Sequence, residues 1–299
     1  MGNITNELSS EIDINDLIQI VWSRIFFVSF LTSIAALISI IYSLSLPNFY
    51  TSSALLAPTA QEETLSSKLG GYSGLAGLAG INMQNNASKS EEALERIKSY
   101  EFFRSFFMPK IKFHNLMAVE KWNPENNEII YNQDLFDSKS GEWKKNTKKP
   151  SAQMAFKAYR DILSIDKYQD TGFVSLSITH QSPEVAKKWM DIVIFNINES
   201  MRELDKLDAE NAISYLNESS KTVNILSIKD VMSRLLENQM QTLMLASSNE
   251  AYIFRVIDSP FVPEKKSSPS RALICIIGTL FGFAISVFSV FIAHFRSSI

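Results

Sequence analysis

The chain has a single cysteine in 299 residues, Cys275, and it lies inside a long apolar run. No intrachain disulfide can form, and cysteine usage does not identify the redox compartment, although it is compatible with a bacterial periplasm. Histidine is nearly as scarce: His114, His180 and His294 stand far apart, without the Cys and His spacings of a structural zinc site. Charge is close to balanced, with 29 basic and 32 acidic residues giving a formal −3, so no global basic field marks a nucleic-acid partner. Catalytic signatures are missing too: there is no G-x-S-x-G elbow, no H-E-x-x-H and no G-x-x-x-x-G-K-[ST]. Adjacent acids occur at Glu62 and Glu63 and at Glu91 and Glu92, but neighbours on a helix point about 100° apart and read as solvated charge rather than a glycosidase pair. The expectation is a chain with no catalytic residues, no cofactor and no metal.

What the sequence does have is two long uncharged apolar runs. One extends from Ile25 to Leu46, and the other, from Arg271 to Phe295, is free of Asp, Glu, Lys and Arg between Ala272 and His294. A helix needs about 20 apolar residues to cross a hydrocarbon core of about 30 Å, so both read as transmembrane helices. The first is too long for a signal-peptide apolar region and has only Arg24 as its basic flank, which favours an uncleaved anchor. Two anchors oblige residues 47–270 to leave the membrane and return to the same face. The expected organisation is an N-terminal tail, 1–24; a first span, 25–46; one extramembrane domain, 47–270; a second span, 271–295; and a short tail, 296–299. Lys265, Lys266 and Arg271 flank the inner end of the second span, so local charge counting alone argues against placing both tails in the cytoplasm; long translocated segments largely ignore that bias.

Along the chain, EIDINDLIQIVWSR suits a short helix on the membrane surface, capped by Asp13 or Asn15. Residues Phe49–Pro58 read as a strand bounded by Pro47 and Pro58. Five of the ten glycines lie between Gly70 and Gly80, but Ile81 and Asn82 follow where a phosphate-binding loop requires Lys and Ser or Thr. A helix is expected after Ser88 and Ser90, ending before Pro109. Residues 110–150 look irregular; Trp122, Trp143 and the run KKNTKKP suit either a solvated loop or contact with an anionic glycan or lipid head group. A short amphipathic helix is expected at Ser151–Leu163, and GFVSLSITH alternates like a half-buried strand with a phase slip at Val174.

Ser182, Pro183 and Glu184 supply an N-cap, an N1 proline and a first-turn acid for a long helix. Met190, Ile194, Ile197, Met201 and Leu204 follow with coiled-coil spacing, loosely extended by Leu207, Ala212 and Leu216. A second stripe, Ile225, Ile228, Met232, Leu236, Met240 and Leu243, makes the returning arm of a helical hairpin. Met190, Ile194, Ile197 and Met201 are therefore candidate helix-packing or oligomer residues, buried against the returning arm or against a neighbouring protomer. Ala251–Asp258 reads as the last strand, and Pro260, Pro263 and Pro269 mark a semi-rigid linker into the second span. Within that span, Gly278 and Gly282 form a G-x-x-x-G face that lets another membrane helix approach closely. The expected fold class is α+β: two transmembrane helices flanking an α/β platform from which a long helical hairpin protrudes.

This order of elements resembles the Wzz-type chain-length determinants, the polysaccharide co-polymerases of bacterial inner membranes. The resemblance runs from the N-terminal span and strand through SPEVAKKWMDIVIFNINE to LLENQMQTLMLASSNEAYIFRVIDSPFVPEKKSSPSR and the last span. It implies a homo-oligomer with a periplasmic domain and both termini in the cytoplasm. It also implies a non-catalytic role, setting the chain length of a lipid-linked glycan such as O antigen with a separate membrane-embedded polysaccharide polymerase. The polymerase and the lipid-linked glycan are the partners that the resemblance implies. Without a nucleotide-binding loop, the tyrosine-kinase branch of the co-polymerases is excluded for this chain. The alternative from another class is a two-span sensor or an export scaffold, and the short tails offer no output module for a sensor.

Overall fold

The computed structural model describes residues 14–59, 88–144, 149–222, 225–248 and 251–297. The Gly70–Gly80 stretch, Asp13, Glu62, Glu63 and residues 145–148 of the basic run lie outside the described residues. The chain forms two compact units, 1–48 with 267–299, and 49–266.

Helix α1 (Ile14–Ser23) leads through Arg24 into α2 (Ile25–Ser45), which is long and apolar enough to cross a bilayer. Its Phe26, Phe30, Leu37, Ile41 and Tyr42 are exposed, an outer face suited to lipid.

The second unit is built on one antiparallel sheet. Strand β1 (Tyr50–Pro58) buries Ser52, Ala54 and Leu56 on one face, the period-2 pattern of a half-covered strand. Helix α3 (Lys89–Ile97) starts at Ser88, whose Oγ accepts from Glu91 N–H at 3.3 Å. The sequence predicts one helix as far as Pro109, but Ser99 caps a new turn, its Oγ accepting from Phe102 N–H at 3.1 Å, and Phe103–Phe107 widen into a π turn. That break places Phe102, Phe103 and Phe107 together in the core, where Phe107 meets the rings of Tyr159 at 4.7 Å and Trp189 at 5.6 Å.

Residues 113–143 are not irregular. Helix α4 (Phe113–Met117) precedes two small hairpins, β2 (Val119–Asn123) with β3 (Glu128–Tyr131) and β4 (Phe136–Asp137) with β5 (Glu142–Trp143). Aromatic packing holds them: His114 stacks on Phe136 at 4.5 Å and Trp143 meets Phe136 edge-on at 5.5 Å. Trp122 packs edge-on against Tyr50 at 5.2 Å and donates from Nε1 to Asn127 Oδ1 at 2.9 Å. Both tryptophans are thus engaged within the domain.

Helix α5 (Ala152–Ile162), capped by Ser151, passes directly into β6 (Leu163–Lys167), a strand the sequence reading did not anticipate. Strand β7 (Val174–His180) buries Val174, Leu176 and Ile178, so the alternation begins at Val174, with Phe173 outside the strand. Helix α6 (Pro183–Ser220) has 38 residues, hence a length of about 57 Å. Helix α7 (Leu226–Ser248) returns alongside it, and β8 (Phe254–Asp258) completes a sheet of order β6-β7-β1-β8. The core lies between this sheet and α3, α5 and the first half of α6. Helix α8 (Arg271–Ser297), the second apolar helix, belongs with α1 and α2. The architecture is the mixed helix and strand fold expected, with an apolar helix towards each end and one long helix.

Candidate functional site

The two apolar helices meet along a seam of small residues. A Cβ placed on Gly278 would lie 1.8 Å from Ser39 Oγ, and one on Gly282 would lie 2.2 Å from Ala35 Cβ. Thr32 Oγ1 and Ser286 Oγ are 3.4 Å apart, and Arg271 Nη2 donates to Asn48 Oδ1 at 3.1 Å. Along these pairs the numbering of α2 rises as that of α8 falls, so the helices are antiparallel, and the chain enters and leaves this seam at the same end. Apolar attraction between helices is weak in lipid, so close backbone approach and dispersion carry such a contact. The glycine face is therefore in close contact with α2 of the same chain. A polymerase cannot use the same face while α2 fills it.

The long helix also departs from its expected role. Met190, Ile194, Ile197 and Met201 are all buried, in a core that takes in Ala54, Leu56, Leu176 and Ile178 of the sheet as well as Ala246 of the returning arm. The four-three spacing selects one face of α6, and that face is covered by β1 and β7. All four are core residues of their own domain. Beyond Met201 the expected seam turns, with Asp205 and Ala209 buried and Leu207 at 55% exposure.

Polar side chains on α6 fix β8 and α3 to this core. Asn198 Oδ1 accepts from the N–H groups of Ile253 and Phe254 at 2.8 and 2.9 Å, while its Nδ2 donates to the carbonyls of Ile194 and Phe254, each at 3.2 Å. One buried amide thus makes four hydrogen bonds and sets where β8 begins. Two turns on, Asp205 accepts from Tyr252 Oη at 2.6 Å and pairs with Lys89. Burial, followed by the bond to the Asp205 carboxylate, pushes the Tyr252 phenol well above its ordinary pKa, so it remains a donor. No sequence signal linked these residues, because Lys89, the helix carrying Asn198 and Asp205, and Tyr252 are separate segments far apart in the chain.

His180 is a further buried polar group. Ser182 N–H donates to its Nδ1 at 2.9 Å, which leaves Nε2–H to donate to the Asn115 carbonyl at 2.9 Å. Burial holds its pKa below the ordinary histidine value.

Pro260 and Pro263 are buried and Pro269 is half-buried. Ser52 Oγ donates to the Phe261 carbonyl at 2.8 Å, so the proline segment is fastened alongside β1 where it follows β8. On the hairpin, α7 turns Met232, Leu236, Leu243 and Ala246 inward and leaves Leu226, Val231, Leu235, Met240 and Met244 exposed. Of the expected stripe, Ile225, Ile228 and Met240 face out, while Gln239 lies on the inner side. Among the described residues no group of three His, Cys, Asp or Glu is placed to hold a metal.

Two family models match the chain: Wzz, "Chain length determinant protein", over residues 10–107, and GNVR, "G-rich domain on putative tyrosine kinase", over residues 225–295. No curated protein matches by sequence. Among solved structures, a full-length bacterial polysaccharide co-polymerase aligns at 13% identity and TM-score 0.42, covering 96% of this chain and 99% of its own. A fragment of WzzB, a polysaccharide co-polymerase from Salmonella Typhimurium, aligns at 18% identity and TM-score 0.30, covering 74% of this chain and 100% of its own. Those two likenesses are too distant to bear on function, and the assignment rests on the family matches, which take in α1, α2 and β1 at one end and α7, β8 and α8 at the other. The chain thus carries a Wzz chain length determinant domain at its N-terminal end and a GNVR segment at its C-terminal end.

Proposed function

We propose that the protein is a non-catalytic, homo-oligomeric regulator of the chain length of a lipid-linked surface polysaccharide, O antigen or a related glycan, acting beside a separate membrane polymerase. The observation that carries this reading is the match to the chain length determinant model over residues 10–107, joined to two apolar helices that pair antiparallel around the Gly278 and Gly282 seam. The domain between them stands in the periplasm of a bacterial inner membrane with both chain ends in the cytoplasm. Exposed apolar residues along α7 support the homo-oligomer, because a helix face of this kind is normally covered by a neighbour. The polymerase contact lies elsewhere than on the glycine seam. The test is deletion of the gene followed by electrophoresis of the surface polysaccharide: the modal band cluster is lost in the deletion and returns on complementation. An unchanged band pattern in the deletion overturns the proposal.

A further inference from the structure

Both ends of the sheet are open. Among the described residues, β8 pairs only with β1 and β6 only with β7, so each leaves one row of backbone N–H and C=O groups without a strand partner. The β8 edge is also apolar. Val256 and Ile257 are 39% and 45% exposed, and Phe261 and Val262, just beyond the strand, are 57% and 42% exposed. Beside it, on the helix side of the sheet, a groove of about 750 Å³ is lined in part by Ile194, Phe195, Phe254, Val256 and Pro260, alongside charged side chains that include Lys187 and Arg202, with Phe195 63% exposed. An open, apolar edge is a template for another strand, and monomeric proteins usually blunt such edges.

We propose that β8 of one protomer adds to β6 of the next, so that the four-stranded sheet continues from subunit to subunit around a closed homo-oligomer. This rests on the homo-oligomer reading above and names its interface. Three features of the sheet select this occupant. All three strand pairings are antiparallel, so in a four-stranded sheet the two edge strands run in opposite directions. Head-to-tail repetition then keeps every pairing antiparallel, past the register shift at Leu55 and Leu56 that leaves Ile257 as an extra residue in β8, and is the heterologous contact from which rings are made.

The faces also match. Phe254 and Val256 lie opposite Pro58 and Leu56, and Ile165 and Lys167 lie opposite Leu176 and Val174, so all four point to the helix side. Arg255 and Asp166 point to the other side. Setting Val256 against Ile165 of the neighbour keeps the helices of both subunits on one side of the joined sheet.

The third feature is charge. The same register sets Arg255 against Asp166 of the neighbour, and both are exposed. Shifting by two residues, the smallest slip that preserves the faces, sets Arg255 against Ser164 or Tyr168 instead. Opposite charges across an antiparallel pair favour the first register, while β8 paired with β8 offers no acid opposite Arg255 unless Asp258 is drawn in by a slip.

The test uses the full chain in detergent with Cys275→Ser, carrying Arg255→Cys and Asp166→Cys together or singly, oxidised and run on a non-reducing gel beside native mass spectrometry. Directly opposed residues in an antiparallel pair have Cα atoms about 4.5 to 5.5 Å apart, within disulfide reach. The double variant is expected to give a ladder extending beyond the dimer, and neither single variant is. In parallel, Arg255→Asp shifts the assembly towards monomer and Arg255→Asp with Asp166→Arg restores it. An intact oligomer with no ladder and no response to charge reversal overturns this interface and leaves the oligomer standing. Dimers in the Arg255→Cys single variant overturn it in favour of β8 pairing with itself. A monomer by mass spectrometry overturns the reading on which it rests.

Discussion

Gly282 lies where even a methyl group would stand 2.2 Å from Cβ of Ala35. Carbon atoms that close overlap, so any larger residue at 282 must push α2 and α8 apart. Thr32 and Ser286, one turn along the same seam with hydroxyl oxygens 3.4 Å apart, report on that spacing. In a Cys275→Ser background, Thr32→Cys with Ser286→Cys is expected to form an intrachain disulfide, and adding Gly282→Leu to abolish it. Undiminished disulfide formation in the Gly282→Leu protein would show that the seam is not where the helices meet.

Asn198 makes four hydrogen bonds from a buried position, two of them received from the start of β8. Truncation strands buried backbone groups, each costing about 1 to 3 kcal/mol. Asn198→Ala is expected to destabilise the domain by at least about 2 kcal/mol, measured by urea unfolding followed through tryptophan fluorescence. Backbone hydrogen exchange should rise first at Ile253 and Phe254.

Ile197 and Met201 are fully buried under the sheet. Ile197→Ala should cost about 2 to 5 kcal/mol, and Ile197→Glu should prevent folding rather than only weaken assembly. Limited proteolysis separates the two outcomes: a protease-resistant monomer carrying Ile197→Glu would return this residue to a subunit interface.

His180 gives the domain a pH dependence with a defined sign. The folded site disfavours the proton, since burial lowers its pKa and Nδ1 is already accepting from Ser182. The unfolded chain takes up that proton near pH 6.5, so this contribution to stability is complete above that value and falls as pH drops through it towards the lower folded pKa. His114, whose pKa is lowered by burial and then by Lys112, acts in the same direction. The urea midpoint is expected to fall between about pH 7.5 and about pH 5.5, and to fall less steeply in His180→Gln. An equal slope in the variant would remove His180 from the account.

Much of this was legible in the sequence because it is local. The two uncharged runs give α2 and α8, the Ser182-Pro183-Glu184 start gives α6, and the alternation at Val174, Leu176 and Ile178 gives β7. Strand β6 was missed because no Gly or Pro separates it from α5; Ile162 is the last helical residue and Leu163 the first of the strand. The spacing of Met190, Ile194, Ile197 and Met201 showed that one face of α6 is buried, but a period of three and four residues is the same whether a sheet or a second helix covers it. The G-x-x-x-G spacing likewise announced a close contact without naming α2 as its occupant. The clamp of Asn198, Asp205, Lys89 and Tyr252 joins segments up to 116 residues apart in a direct bond, and only the folded chain brings them together.

The central claim is that the protein sets glycan length without making glycosidic bonds. Its most direct test measures two quantities in the same cells, the total labelled sugar incorporated into lipid-linked polymer and the distribution of that label over chain lengths, with the gene deleted and with it restored. The account predicts that deletion leaves total incorporation near its original level while the modal cluster collapses into a broad or shortened distribution. Loss of polymer altogether, or an unchanged distribution, would contradict it.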